Sequence, residues 1–301
     1  MMEPWILFTI GAAAFQTLRF TLHKVLSLGG LTSTGSTLAR FAYALPFAAL
    51  AAVLYLGPAP GAWPEIAPAF WAYAGIGALG QILATICVVA LFETRNFAVG
   101  ITFKKTEVIQ TAILGLIVLG EVVSPGGWLA ILLGLGGVLL LSETPGLAGR
   151  WWQRIGPREV ALGLGSGFFF AFSGVGFRGA TLAIGAEDPL SRALLALVIV
   201  TAAQSLALTL WMGLRDRAGL AAVWAARRQG VWLGLASMAG SACWYSAFTL
   251  QQAAYVQAMG QIELIFSMMV SALVFRERIT RRELGGIGLL TLSILALLVL
   301  L

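Results

Sequence analysis

Phe103-Lys104-Lys105-Thr106-Glu107-Val108-Ile109-Gln110 and, 156 residues further on, Met259-Gly260-Gln261-Ile262-Glu263-Leu264-Ile265-Phe266 decide how this chain is read. Each stretch sets a carboxylate in the middle of a long apolar run, and the two carboxylates fall in register without a gap. The same shift places Cys87 on Cys243, Phe92 on Phe248, Ala98 on Ala254, Val118 on Val274 and Glu121 on Glu277. Ser124 meets Thr280, both good N-caps, and Pro125 suits the first helical position after Ser124. Apolar matches alone mean little in such a chain. Two pairs of rare acidic residues in one register indicate an internal repeat.

Around these stretches the composition is that of a membrane protein. Of 301 residues, 59% are hydrophobic and 11% charged, where soluble domains carry roughly 25% charged residues. The apolar residues form runs of about 20, the length that crosses a bilayer core. Spans are expected at 5–26, 35–56, 69–92, 97–119, 125–142, 159–180, 189–213, 230–251, 255–275 and 284–301. The expected fold is therefore all-α and integral to the membrane, with ten transmembrane helices as two five-helix repeats around a central cavity. The first unit covers 1–146 and the second 158–301, joined by a basic linker at 147–157. Five is odd, so the second unit enters the membrane from the opposite side, an inverted repeat of the kind used by secondary transporters.

The net charge of +6 belongs to topology rather than to a nucleic-acid partner. Arg150, Arg154, Arg158, Arg215, Arg217, Arg227, Arg228, Arg276, Arg278, Arg281 and Arg282 all fall in or beside loops that share one face. The positive-inside rule puts that face in the cytoplasm and both termini outside. Trp151 and Trp152 belong at headgroup level, and Pro58, Pro60, Pro64 and Pro68 mark a turn. Cys87 and Cys243 lie inside apolar runs, which argues against a disulfide framework. Glu3 is the only charge before Arg19, so an uncleaved first helix is expected rather than a signal peptide. Membrane lipid is the expected surrounding; a monomer is expected, with a dimer as the alternative.

Lys104, Lys105 and Glu107 sit near the expected midplane, where each costs about 2.5–3.5 kcal/mol on insertion scales. Lys104 and Glu107 are three apart and share a helix face. They are read either as a salt bridge that holds this span in the bundle or as a substrate or ion site. Glu263 follows Gln257 and Gln261, and Gly260 and Gln261 stand where the other repeat has its lysines. Such an asymmetric cavity suits a zwitterion, its carboxylate at Lys104 and its ammonium at Glu263 or Glu107. Trp244 and Tyr245 are candidates for stacking or cation–π contact with substrate, and Gln81 and His23 are further polar candidates. Phe168, Phe169, Phe170 and Phe172 read as lipid-facing or core, and Gly163 and Gly167 as a close-packing pair. Glu121 and Glu277 are expected to offset the positive end of a following helix, and Lys24 to snorkel.

Other classes lack their chemistry. Asp188 and Asp216, the only aspartates, fall in connecting segments, which leaves no intramembrane aspartyl dyad. One histidine leaves no bis-histidine haem or HExxH zinc site, and there is no ATP-binding loop. No enzyme, cofactor or metal is expected. An ion channel stays open as an alternative.

The run Gly120-Glu121-Val122-Val123-Ser124-Pro125-Gly126-Gly127-Trp128, and its partner Arg276-Glu277-Arg278-Ile279-Thr280 up to Gly285, resemble the drug/metabolite transporter superfamily, specifically its EamA-type members. Arg40 and Arg192, early in the second helix of each half, are also similar to that family. The resemblance covers the whole chain. It implies ten helices around a central cavity and export of small metabolites across a bacterial inner membrane. The chain looks most like YddG-type amino-acid exporters, which handle aromatic amino acids, methionine and some others. Carriers of another small metabolite or of cationic drugs, including sugar-phosphate types, are the alternatives.

Overall fold

The structure is a computed structural model, and it describes residues 3–57, 63–94, 97–142, 156–274 and 280–300. Helices account for nearly all of them. In chain order they are α1 (Pro4–Leu28), α2 (Ser33–Leu56), α3 (Ala69–Phe92), α4 (Phe97–Lys104), α5 (Glu107–Leu119), α6 (Pro125–Ser142) and α7 (Pro157–Leu182). There follow α8 (Pro189–Arg215), α9 (Arg217–Ala225), α10 (Arg227–Leu250), α11 (Ala253–Gly260), α12 (Glu263–Val274) and α13 (Arg281–Leu300). Six of these, α1, α2, α3, α7, α8 and α13, are long and apolar enough to cross a membrane by length and composition. The molecule is a multi-pass, membrane-embedded helical protein. α10 has the length, but it carries Ser237, Ser241, Tyr245 and Ser246 into the interior and is correspondingly less apolar.

Helix starts follow local chemistry. Thr32 accepts from the Gly35 amide, and Ser124 Oγ from that of Gly127 at 3.0 Å. Asp188 Oδ2 accepts from the Ser191 amide ahead of Pro189. Thr280 and Glu283 form a reciprocal capping box at α13. α5 ends at Gly120, whose φ of 70° is left-handed and closes the helix without steric cost.

The elements meet at two ends. At one end, β1 (Glu65–Ile66) pairs antiparallel with β2 (Ile184–Gly185), a two-residue ladder that the helical pattern does not foreshadow. Tyr55 donates to Asp188 at the same end, and the Tyr255 hydroxyl meets the Ser124 amide. At the other end Ser33 donates to Glu93, and the Tyr43 hydroxyl to the Val223 carbonyl of α9. This second end carries Arg215, Arg217, Arg227, Arg228 and Arg281; we call it the basic end. Helix α9, absent from the sequence expectation, starts at Asp216, which accepts from the Gly219 amide.

Between the ends, glycines let backbones touch, which is how helices pack where lipid removes the hydrophobic drive between them. A Cβ on Gly163 would run into the Gly100 carbonyl, and one on Gly167 would lie 2.8 Å from the Lys104 carbonyl. Gly163 and Gly167 therefore do bring α7 against α4, as their spacing implies. Gly80 and Gly176 do the same between α3 and α7, and Gly137 and Gly286 between α6 and α13.

Two expectations need correction here. The spans 97–119 and 255–275 are each broken, at Lys105–Thr106 and at Gln261–Ile262. At both breaks the amides turn from i−4 to i−3 partners: Lys105 to Thr102 and Thr106 to Phe103, then Gln261 to Ala258 and Ile262 to Met259. Glu121, expected to serve the start of α6, instead ion-pairs with Arg178. Arg178 Nη1 also donates to the Phe248 and Gln251 carbonyls at 2.6 and 2.7 Å, so a largely buried guanidinium supplies a stronger partner than a helix dipole. Glu277, the linker tryptophans Trp151 and Trp152, and Pro58 and Pro60 lie outside the described residues. Cys87 and Cys243 are both free thiols.

Candidate functional site

The breaks in the two helices fix where charge enters the bundle. A tightened turn inside a helix changes the direction of successive side chains and often marks a functional position. Here it sends adjacent lysines to different carboxylates. Lys104 Nζ donates to both oxygens of Glu107, at 3.0 and 2.8 Å. Lys105 Nζ instead donates to Glu263, from the other broken helix. Glu107 and Glu263 each open the second half of their broken helix, where a carboxylate is stabilised by the positive helix end. All four side chains are buried, and Gln16 of α1 completes the group by donating to Glu263.

Beside these pairs lies a small, partly open cavity, in this conformation roomy enough only for water-sized occupants. One wall is cationic and polar: Gln16 and Arg19 of α1, Arg40 of α2, Gln81 of α3, Lys104 and Glu107. The other wall is largely aromatic: Phe170 and Phe177 of α7 with Trp244, Tyr245 and Phe248 of α10. Phe177 stacks on Tyr245 and Trp244 on Phe248, with ring centroids 4.4 and 5.6 Å apart. Lys104 Nζ sits 4.8 Å above the Phe170 ring, a cation–π contact that ties the two walls together. The small residues Ser173 and Gly174 leave the room between them.

The residues singled out from sequence are distributed unevenly about this cavity. Lys104, Glu107, Gln81, Trp244 and Tyr245 line it. Glu263 stands directly behind, held by Lys105 and Gln16. Gln81 is partly committed, since its Oε1 accepts from Gln204 Nε2 at 3.0 Å. Gln261 lines a second, smaller cavity with Lys105, Ile131 and Ser293, between α5, α6, α11 and α13. His23 is fully buried and shares a 2.7 Å hydrogen bond with Ser36 Oγ rather than lining the central cavity. The zwitterion arrangement is not drawn as expected, because both carboxylates are already taken by lysines.

Sequence reasoning does not pick out Arg19, Gln16 and Phe170 as lining residues, and it marks Arg40 only through a family pattern. Both arginines are deeply buried, Arg19 2% exposed and Arg40 1%. The signal that could have found them is positional. Both arginines sit well inside long apolar runs, where an ionisable residue is a site candidate by default. Phe170 cannot be separated from Phe168, Phe169 and Phe172 without the helix's rotation.

A helical membrane protein with a charged, aromatic-walled cavity between interrupted helices has the form of a solute transporter. Residues 157–299 match the model of the EamA-like transporter family. The second half of the chain is thus similar to the EamA-like units of the drug/metabolite transporter superfamily, whose members are membrane transporters of small solutes. A solved crystal structure aligns over 96% of this chain and 99% of its own, with a TM-score of 0.67 and 13% identity; at that identity the likeness shows the fold alone. No curated protein matches the sequence.

Proposed function

We propose that this protein is a secondary transporter that exports small metabolites across a bacterial inner membrane by alternating access. The observation that carries the proposal is the coincidence of two interrupted helices, 156 residues apart, at one buried cluster of ion pairs beside a cavity. That coincidence supports ten crossings in two inverted five-helix halves, with α4–α5 and α11–α12 each making one broken crossing. Exchange between outward-open and inward-open shapes is the mechanism such halves support. The basic end is assigned to the cytoplasm by the positive-inside rule.

The chemistry of the cavity's lining suits a compact solute, once the bundles part to admit it, with a polar head against Arg19, Arg40 and Lys104 and an apolar or aromatic body against Trp244, Phe248 and Phe177. Aromatic amino acids, methionine and related organic acids have that form. Organic cations do not, because the lining is cationic. In this reading Lys104–Glu107 and Lys105–Glu263 keep the interrupted helices in register while the solute occupies the adjacent space.

The test is counterflow in proteoliposomes preloaded with candidate metabolites. Saturable uptake of a labelled metabolite, competed by its analogues, is expected. Rapid, unsaturated ion current without metabolite exchange would instead make the protein a channel.

A further inference from the structure

The charges around the cavity do not balance. Four cations, Arg19, Arg40, Lys104 and Lys105, surround two carboxylates, Glu107 and Glu263, among the described residues. Each lysine has its own carboxylate. Among the described residues neither arginine is within salt-bridge distance of one; Glu263 reaches Arg19 only through space. Arg19 Nη2 donates to Gln16 Oε1 at 3.0 Å and Arg40 Nη1 to Thr85 Oγ1 at 2.5 Å, both neutral partners. The Nε atoms of both guanidiniums are buried without a hydrogen-bond partner among the described residues, as is the Tyr245 hydroxyl on the facing wall. His23, close to both arginines, bonds Ser36 through Nδ1, while its Nε2 is buried without a partner among the described residues; it offers no anion.

Buried charge without a counter-charge is costly. Aromatic rings reduce the cost without neutralising it: Arg19 lies 5.0 Å from the Phe20 centroid and Arg40 4.9 Å from that of Phe41. Guanidinium is also the side chain best shaped for an oxyanion, since its fork matches carboxylate or phosphate oxygens in two parallel hydrogen bonds. Two such groups line one cavity, and each has a buried Nε without a hydrogen-bond partner among the described residues, an arrangement that suits an oxyanion.

We infer that Arg19 and Arg40 form the seat for the oxyanion head of the solute, and that the protein prefers net-anionic metabolites over zwitterions and cations. This rests on the transporter reading above and narrows its substrate class. A carboxylate or phosphate ester brings the missing negative charge. An amino acid brings an ammonium as well, and the carboxylates that would receive it are held by lysines. A deaminated acid is therefore a better ligand than its parent amino acid.

The experiment keeps the body constant and varies the head. Purified protein is titrated with 3-phenylpropanoate, phenyl phosphate, L-phenylalanine, phenethylamine and inorganic phosphate, following tryptophan fluorescence. The signal is assigned to the cavity through Trp244→Phe, and counterflow of the same solutes is measured in proteoliposomes. The two phenyl anions are expected to bind at least tenfold more tightly than phenylalanine, with the amine weaker still; their ranking tells carboxylate from phosphate. Inorganic phosphate binding as tightly as both phenyl anions would overturn the metabolite seat in favour of a bare anion site. Arg19→Gln and Arg40→Gln are each expected to weaken the anions about tenfold or more, with Arg40→Lys intermediate. Equal binding of amine and acid, or unchanged anion binding in a folded Arg40→Gln protein, overturns the inference. Should the glutamine variants not fold, the head-group series on the unaltered protein decides alone. Anion binding with no counterflow of any solute would count against the transporter reading and leave the anion seat standing.

Discussion

At the scale of single residues, adjacent Lys104 and Lys105 divide their charge between two helices, Glu107 on their own and Glu263 on its partner. Removing one member of a buried pair leaves the other charge uncompensated, at a cost of about 3–5 kcal/mol. Glu263→Gln is therefore expected to lower the thermal unfolding temperature of the detergent-solubilised protein substantially. Replacing both partners, Lys105→Met with Glu263→Met, should restore most of that loss, because an apolar pair leaves no buried charge. Equal destabilisation by the single and double changes would show that the pair does not act as a unit. The sequence makes the carboxylates and the Lys104–Glu107 spacing legible, since residues three apart on a helix share a face. The cross-helix partnership of Lys105 is not legible: it depends on the tightened turn at Lys105–Thr106, which neither proline nor glycine announces.

At the scale of elements, α7 is the hub against which α3, α4 and α5 pack. Its glycines separate into contact and non-contact positions. Gly167 faces the Lys104 carbonyl, while a Cβ on Gly165 would meet nothing within 4 Å. Gly167→Ala is expected to destabilise the protein by about 1–3 kcal/mol through overpacking, whereas Gly165→Ala should be neutral or slightly stabilising through helix propensity. Thermal unfolding of the two variants in the same detergent checks this; identical shifts would contradict it. Arg178, also on α7, ties Glu121 to the carboxyl end of α10. Arg178→Gln should loosen that end of the bundle and make Ser173→Cys label faster from it. An unchanged labelling rate would mean the contact does not hold that end closed. Long helices are legible because apolar runs and N-caps such as Ser124 and Asp188 mark them. Short α9 and the β1–β2 ladder are not, because each is fixed by neighbours rather than by its own pattern.

At the scale of the whole molecule, the 156-residue register match gives the sequence its most far-reaching content. The register that aligns Glu107 with Glu263 also aligns the two helix breaks, so one sequence shift anticipates a shared structural feature. What the shift cannot supply is helix rotation, and the cavity's lining depends on it: Arg19, Arg40 and Phe170 turn inward, while His23 and Gln261 go elsewhere. The orientation proposal expects a tag at the amino terminus to be protease-accessible in spheroplasts while the Arg215–Arg228 segment is protected; the reverse pattern would invert it. The central claim is that one buried cavity is reached alternately from both sides. It is tested most directly with Ser173→Cys in a protein whose Cys87 and Cys243 are replaced, using membrane-impermeant thiol reagents added to either face of proteoliposomes. The account predicts labelling from each face, slowed by a transported solute, and no conformation open to both faces at once. Labelling from one face only, unaffected by any solute that the protein binds, would contradict it.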